Sequence, residues 1–332
     1  MSDKTLRPVA ITGTGSYVPE KVLTNADLQR MVDTSDEWIT ERTGIKERRI
    51  AAPDQATSDL AVRAAREALA DAGVAAADLD LIIVATFTPD MFFPSTACFV
   101  QKALGAPKAT CFDVSAACSG FLYCLDIARQ YIAAGAAEKV LVIGADKVSG
   151  VIDWTDRNTC VLFGDGAGAA VLQPAGEGGG EILSVYSGSN GTLDEILNVP
   201  AGGSRLPLTA GNVESRLNTM KMAGREVYRH AVQTMVSAAR EALTRAGLTA
   251  DDIACFIPHQ ANLRIIETIA DKLHVPMDRF FINLTAYGNT SAAAVAIALD
   301  EAQRSGRVKS GDHLLMVVFG GGLTWASSVV RW

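Results

Sequence analysis

Three polar residues, each set among small neighbours, carry the chemistry that this sequence offers. They are Cys118 in Phe112-Asp-Val-Ser-Ala-Ala-Cys-Ser-Gly-Phe, His259 in Pro258-His-Gln-Ala-Asn262, and Asn289 in Tyr287-Gly-Asn-Thr-Ser291. A short apolar strand is predicted over Thr110 to Val114. Phe121, Leu122, Leu125, Ile127, Ala128 and Ile132 then recur at helical spacing, which puts Cys118 on a strand-to-helix turn at the N-terminus of a buried helix. Free backbone N–H groups and the helix dipole favour the thiolate there, and the small neighbours leave room for a substrate. The alternative for a single cysteine is a buried structural thiol, so its partners must decide. A histidine and an asparagine amide meeting that cysteine in one pocket form a nucleophile with two hydrogen-bond donors. The other histidines, His230, His274 and His313, lie in helix-like or strand-start contexts and read as surface or structural.

The elements that must position these residues occur twice. Ala-Ala-Arg-Glu-Ala-Leu-x-x-Ala-Gly begins at Ala64 and again at Ala238, and each copy leads into an apolar strand, Leu79 to Thr86 and Ile253 to Gln260. The cysteine strand and its helix are echoed by Ile282-Asn-Leu-Thr-Ala and a helix beyond Ser291. The strand Lys139 to Ala145 is echoed by Leu314 to Phe319, and each half closes with a glycine turn into a strand. The expectation is a tandem duplication of two α/β halves, 1–173 and 181–332, forming one compact unit with the Gly-rich stretch from Pro174 to Gly180 as the joint. A pseudo-twofold axis would then bring His259 and Asn289 to the same face as Cys118. Ala-rich helices apolar on all sides, Phe121 to Ala134 and Ala292 to Leu299, are expected at the centre.

Composition bounds the function class. The 332 residues are 48% hydrophobic and 20% charged, with a net charge of −7 and dispersed basic residues, which disfavours a nucleic-acid surface or a polybasic membrane anchor. The six cysteines form no Cys-x-x-Cys pair, so neither a structural zinc nor a disulfide framework is indicated, and reduced thiols point to the cytoplasm. Met1 to Pro8 lacks the apolar core of a signal peptide, and no run is long enough to span a bilayer. Val9 to Thr12 reads as a short strand entering Gly13-Thr-Gly-Ser16. That is either a tight glycine turn or a partial dinucleotide fingerprint, the latter weakened because Val18 stands at the third glycine. Thr34 to Ile39 supplies caps for a short helix on which Trp38 and Arg42 either grip a planar base or phosphate or close the edge of a core.

The quoted motifs, together with Phe319-Gly-Gly-Gly-Leu-Thr-Trp, resemble the signatures of β-ketoacyl-acyl-carrier-protein synthase III, the initiating condensing enzyme of type II fatty acid synthesis. The resemblance covers nearly the whole chain and implies the duplicated thiolase-like fold, a five-layered α-β-α-β-α arrangement. It implies that Cys118 attacks a short acyl-CoA, with acetyl-CoA the expected starter, while the backbone N–H groups of Cys118 and Gly321 hold the oxyanion. His259 and Asn289 would then bond the malonyl thioester of the acyl carrier protein during decarboxylation, with no metal and no organic cofactor. It further implies CoA contacts at Trp38, Arg42, Arg157 and Asn262, and an acyl pocket beside Phe319. Phe93 would close that pocket from across a homodimer, although ordinary core packing of the Phe-rich loop is the alternative. Carrier-protein docking falls to Arg225, Arg229, Arg264 and Lys272, with Asp271 standing where the family has a second basic residue. A specialised relative with another starter or acceptor, or one that transfers acyl groups without decarboxylation, is the rival reading. A silent scaffold would have lost Cys118.

Overall fold

The computed structural model describes residues 6–176 and 179–332. Glu177 and Gly178, inside the expected joint, lie outside the described residues. The main strands are β1 (Val9–Tyr17), β2 (Leu81–Ala85), β3 (Thr110–Val114), β4 (Val140–Asp146), β5 (Gly166–Pro174), β6 (Gly180–Ser189), β7 (Ile253–Pro258), β8 (His313–Gly320) and β9 (Thr324–Arg331). The main helices are α1 (Asp36–Thr43), α2 (Thr57–Ala72), α3 (Thr96–Leu104), α4 (Gly120–Ala133), α5 (Gly224–Ala246), α6 (Leu263–Leu273) and α7 (Ala293–Arg304).

The strands run in the order β7-β8-β9-β6-β1-β5-β4-β2-β3. Outward from the β1–β6 seam, each side repeats one pattern. β5, β4 and β2 follow β1 with antiparallel, antiparallel and parallel pairings, and β9, β8 and β7 follow β6 in the same way. β3 then pairs parallel with β2; its counterpart beside β7 is reduced to a bridge between Phe256 and Phe280. The seam itself is only two residue pairs, Ala10 with Glu181 and Ile11 with Gly180, so the two sides behave as two sheets hinged along one edge.

Period-two alternation sorts the strand residues into layers. Leu81 and Ile83 of β2 face a core shared with α4 and α7, while Ile82 and Val84 face α2 and α3. On the other side, Leu314, Met316 and Val318 of β8 face that same central core, and Leu315 and Val317 face α5 and α6. Five layers result. α7 is buried along Ala293 to Leu299, which suits a helix with no polar face.

The expected glycine turn after Thr12 does not exist. β1 continues through Gly13 and Gly15 to Tyr17, with a bulge between Ile11 and Gly13. The glycines serve close packing instead: a Cβ on Gly13 would lie 2.4 Å from the Ala72 nitrogen, and one on Gly15 only 2.3 Å from the Ala68 nitrogen of α2. A glycine pair filled by a helix backbone leaves no place for a pyrophosphate. Gly15→Ala should therefore lower unfolding free energy by about 3 kcal/mol, the upper end of overpacking costs. Gly73→Ala, at a left-handed helix end facing open space, should cost about 1 kcal/mol. Urea melts of the two variants check this; equal losses would refute the close-packing role.

Candidate active site

Cys118 sits where β3 becomes α4. After Val114 the chain bends through Ala117, whose φ is +45°, and makes one tight turn over Ala117–Ser119 before α4 starts at Gly120. Two glycines permit this bend. A Cβ on Gly120 would meet the Ala85 methyl at 2.8 Å, and one on Gly320 would lie 2.8 Å from the Cys118 nitrogen. The end of β8 thus passes directly beneath the Cys118 amide. Neither the Cys118 nor the Gly321 N–H is taken up by a turn or loop hydrogen bond among the described residues. Thr324 Oγ1 lies 2.9 Å from the Ala116 carbonyl oxygen, as donor, and ties β9 to the turn.

His259 ends β7, its N–H bonded to the Val317 carbonyl at 2.8 Å. Asn289 reaches Cys118 because its strand-like backbone pairs with the other half of the chain: its N–H donates to the Leu162 carbonyl at 2.8 Å, and the Gly164 N–H donates to its own carbonyl at 3.1 Å. The Ser291 N–H donates to Asn289 Oδ1 at 2.9 Å. That contact fixes the amide's orientation and leaves Nδ2 as the free donor.

Burial controls the site's charge. It pushes the Cys118 thiol up to about 12, only partly offset by the Ser291 hydroxyl and the cysteine's own N–H, with the nearby Asp146 carboxylate adding to the rise. In the unliganded protein, desolvation therefore outweighs the helix N-terminus that the sequence led us to expect would favour thiolate. The same burial pulls His259 down to about 4. Its Nδ1 is sealed without a partner, so the neutral tautomer with the proton on Nε2 offers its donor to the cavity. Behind the cysteine, Asp146 accepts from Thr86 and Thr88 hydroxyls and from the Phe87, Thr88 and Ala292 N–H groups.

A cavity of about 460 Å³ brings together Cys118, His259, Asn289, Asn262, Phe319 and Gly321. Its remaining wall was not foreseen: Phe87, Leu197, Met220, Met222, Tyr228 and Met235 all line it. Met220 and Met222, separated only by Lys221, end a stretch without periodicity, so only methionine density marked them. Asn262 also caps α6, accepting from the Arg264 N–H at 2.9 Å, and donates to the Arg42 carbonyl at 3.1 Å.

The other expected residues lie outside the cavity. Trp38 is flanked by the guanidinium groups of Arg42, 4.7 Å from its ring centroid, and Arg157 at 5.2 Å; Arg157 also donates to the Asp33 carbonyl at 2.8 Å. The tryptophan thus stands in an arginine clasp on the rim, half-buried. Arg225 and Arg229 are exposed on α5, and Arg264 and Lys272 on α6, the two helices being joined by the Tyr228 and Thr268 hydroxyls at 2.7 Å. Phe93 is 83% exposed and its neighbour Phe92 88%, which rules out core packing within one chain. Among the described residues, no group of three His, Cys, Asp or Glu side chains is placed to hold a metal, and no helix is long and apolar enough to cross a membrane.

Comparison with known proteins places these features in context. The family described as 3-oxoacyl-[acyl-carrier-protein] synthase III matches residues 112–191, and its C-terminal counterpart matches residues 243–332. A β-ketoacyl-[acyl-carrier-protein] synthase III of Caldanaerobacter subterraneus is 60% identical over 97% of this chain and 97% of its own. The crystal structure of 3-oxoacyl-[acyl-carrier-protein] synthase III from Aquifex aeolicus is 49% identical, with a TM-score of 0.90 over 98% of this chain and 100% of its own. The priming β-ketosynthase of a polyketide biosynthetic pathway is 40% identical, with a TM-score of 0.91 over 99% of this chain and 98% of its own.

The buried neutral histidine carries a pH signature. A histidine whose folded pKa is depressed to about 4 contributes stability above its unfolded value of 6.5, and that stability is lost as pH falls through the folded value. Replacing His259 with Asn should flatten the acid limb of stability across that window. Chemical denaturation at stepped pH tests this, and an unchanged limb would show that His259 is not buried neutral.

Proposed function

The chain belongs to the 3-oxoacyl-[acyl-carrier-protein] synthase III family, and from that membership we propose that it catalyses the decarboxylative condensation of a short acyl-CoA with malonyl-acyl-carrier protein, yielding 3-ketoacyl-carrier protein, CO2 and CoA at the start of fatty acid synthesis. The observation that carries the assignment of roles is the convergence of one thiol and two neutral side-chain donors, Cys118, His259 and Asn289, in a single cavity. Cys118 attacks the acyl thioester, and the N–H groups of Cys118 and Gly321, which no backbone carbonyl of a turn or loop takes up, receive the oxyanion; each such donor typically lowers the barrier by ~3 to 4 kcal/mol. CoA departs and the malonyl thioester enters. His259 and Asn289 Nδ2 bond its carbonyl, so the electrons freed by loss of CO2 collect on oxygen as an enolate, which attacks the acyl-cysteine. A neutral imidazole suits this task. It donates a hydrogen bond, whereas an imidazolium would be acidic enough to quench the carbanion. Loss of CO2 generates that carbanion directly, so neither metal nor organic cofactor is needed.

The binding roles follow the same reading. The clasp of Arg42 and Arg157 about Trp38 opens to take the CoA adenine and phosphates, and the Asn262 bond to Arg42 links it to the pantetheine channel. Phe319 walls the acyl end. Exposed Phe92 and Phe93, together with the unpaired edge of β3, favour a homodimer in which Phe93 closes the partner's pocket. The basic residues Arg225, Arg229, Arg264 and Lys272 steer the acidic carrier protein, a rate effect that Asp271 weakens. The likeness of the two sheet halves supports a duplicated ancestry for 1–173 and 181–332, and the dispersed charge fits a cytoplasmic enzyme. The polyketide priming relative keeps a second reading in view, the same chemistry with another starter.

Intact-mass analysis after incubation with acyl-CoAs of increasing length, then a chase with malonyl-carrier protein, tests the assignment. Acetyl labelling discharged with CO2 is expected; labelling only by longer or branched chains would favour the specialised reading. Cys118→Ala should abolish acylation. Asn289→Ala should leave acylation within a few-fold of wild type and reduce malonyl decarboxylation by about 100-fold or more, as for loss of a donor to a developing charge. Loss of both half-reactions in folded Asn289→Ala would refute its role.

A further inference from the structure

Arg48 carries a charge into the interior. It lies fully buried on the short strand Glu47–Ile50, which pairs with Lys21–Thr24, yet its side-chain hydrogen bonds all go to neutral oxygens. Nη1 donates to the Leu23 carbonyl at 3.1 Å and to Asn25 Oδ1 at 2.9 Å, and Nη2 donates to the Val161 carbonyl at 2.7 Å. Nε is sealed without a partner among the described residues. A buried cation bonded to no counter-charge opposes folding, and an apolar side chain of similar length would avoid that cost. Stability therefore does not account for the arginine. What sets it apart is a rigid planar fork that bonds acceptors on separate segments at once.

One arm of the fork leads to the arginine clasp. Asn25, which accepts from Nη1, donates through Nδ2 to Asp36 Oδ1 and to the Ile45 carbonyl, both at 2.8 Å. Asp36 opens α1 and Ile45 follows its Gly44 cap, so Asn25 holds both ends of the helix that carries Trp38 and Arg42. The other arm leads to Asn289. Val161, whose carbonyl accepts from Nη2, precedes Leu162, whose carbonyl accepts from the Asn289 N–H. The stem of Arg48 meets the same place: a methyl group on Gly164 would sit 3.0 Å from Arg48 Cβ, and one on Gly288 would sit 3.4 Å from it. The Gly164 N–H bonds the Asn289 carbonyl and Gly288 immediately precedes Asn289, so the stem packs against both segments of the bridge that carries the amide. We propose that Arg48 is a positioning residue, which holds the Asn289 amide and the Trp38 clasp in one frame without itself lining the cavity. The Cys118 turn lies outside that frame, packed against Gly120 and Gly320 and tied by Thr324.

This role rests on Asn289 and Trp38 acting as proposed above, and amide hydrogen exchange, which needs no substrate, separates the two. Arg48→Lys supplies one ammonium in place of the fork, and Arg48→Met keeps an unbranched side chain with no donor. In the folded variants, peptides covering 36–45, 161–164 and 287–290 should exchange about tenfold faster than in wild type, while the peptide around Cys118 exchanges unchanged. Acylated enzyme should decarboxylate malonyl-carrier protein about tenfold more slowly, as for a displaced donor. KM for acetyl-CoA should rise about fivefold, the scale of one lost hydrogen bond, and alkylation of Cys118 by iodoacetamide should not change. Asn25→Ala, which cuts the arm to α1, should raise KM alone. Wild-type exchange and rates in both Arg48 variants would overturn the proposal, as would faster exchange that includes the Cys118 peptide, which marks a general loss of stability. Failure of both variants to fold would also overturn it, by assigning Arg48 to the core rather than to the site. If wild type fails to decarboxylate malonyl-carrier protein while the exchange pattern holds, the assigned reaction fails and the frame held by Arg48 stands.

Discussion

Close approach of backbone to backbone at the centre of the molecule is the constraint on which the rest depends. A methyl group on Gly144 would sit 2.3 Å from the Ala292 carbonyl oxygen, and one on Gly168 would sit 2.5 Å from the Ala296 methyl. Alanine and glycine at these positions let α7 lie directly on β4 and β5, with α4 beside it, both buried between two sheets. The first turns of these helices also meet: a methyl group on Gly120 would sit 3.7 Å from the Ala292 methyl. Cys118 precedes one and the Asn289–Ala292 turn precedes the other, so the packing of small residues carries Cys118 and Asn289 to one cavity without any loop having to fold over it. Overpacking at such a contact has no flexible side chain to absorb it.

The same burial gives the site its electrical character. With the thiol raised and the imidazole depressed, Cys118 and His259 are both neutral in the unliganded cavity, and burial also pushes the nearby Asp146 carboxyl up against the hydrogen bonds it accepts. Donors fixed before substrate arrives do not reorganise when charge appears, and in a dry cavity their effect is larger than in water. The amide of Asn289, locked by one N–H, and the sealed Nδ1 of His259 each specify which atom faces the cavity. Charge is kept instead for the rim, where the arginine clasp at Trp38 and the basic residues of α5 and α6 stand in solvent. Buried neutral donors and exposed cations are therefore separated by dielectric as well as by distance.

The sequence by itself determined the repeating elements. Apolar patterning placed β3 at Thr110 to Val114 and the buried helix that follows Cys118, because such patterns record which face of an element is buried. The repeated Ala-Ala-Arg-Glu-Ala-Leu segment and its following strand anticipated the matched halves of the sheet, and short motifs singled out Cys118, His259 and Asn289. Tertiary structure alone decided what those residues are. Gly13 and Gly15 looked like a turn because a glycine's reason is invisible until the helix that crowds it is known. The thiol's position on a helix start argued for thiolate, yet desolvation is a property of everything packed around an atom, and it prevailed. The methionine walls of the cavity, the amide's orientation and the unpaired hydroxyl of Ser291 likewise depend on residues distant in the chain. Local pattern encodes which side of an element is buried; only the assembled fold sets which atoms then meet, and at what separation.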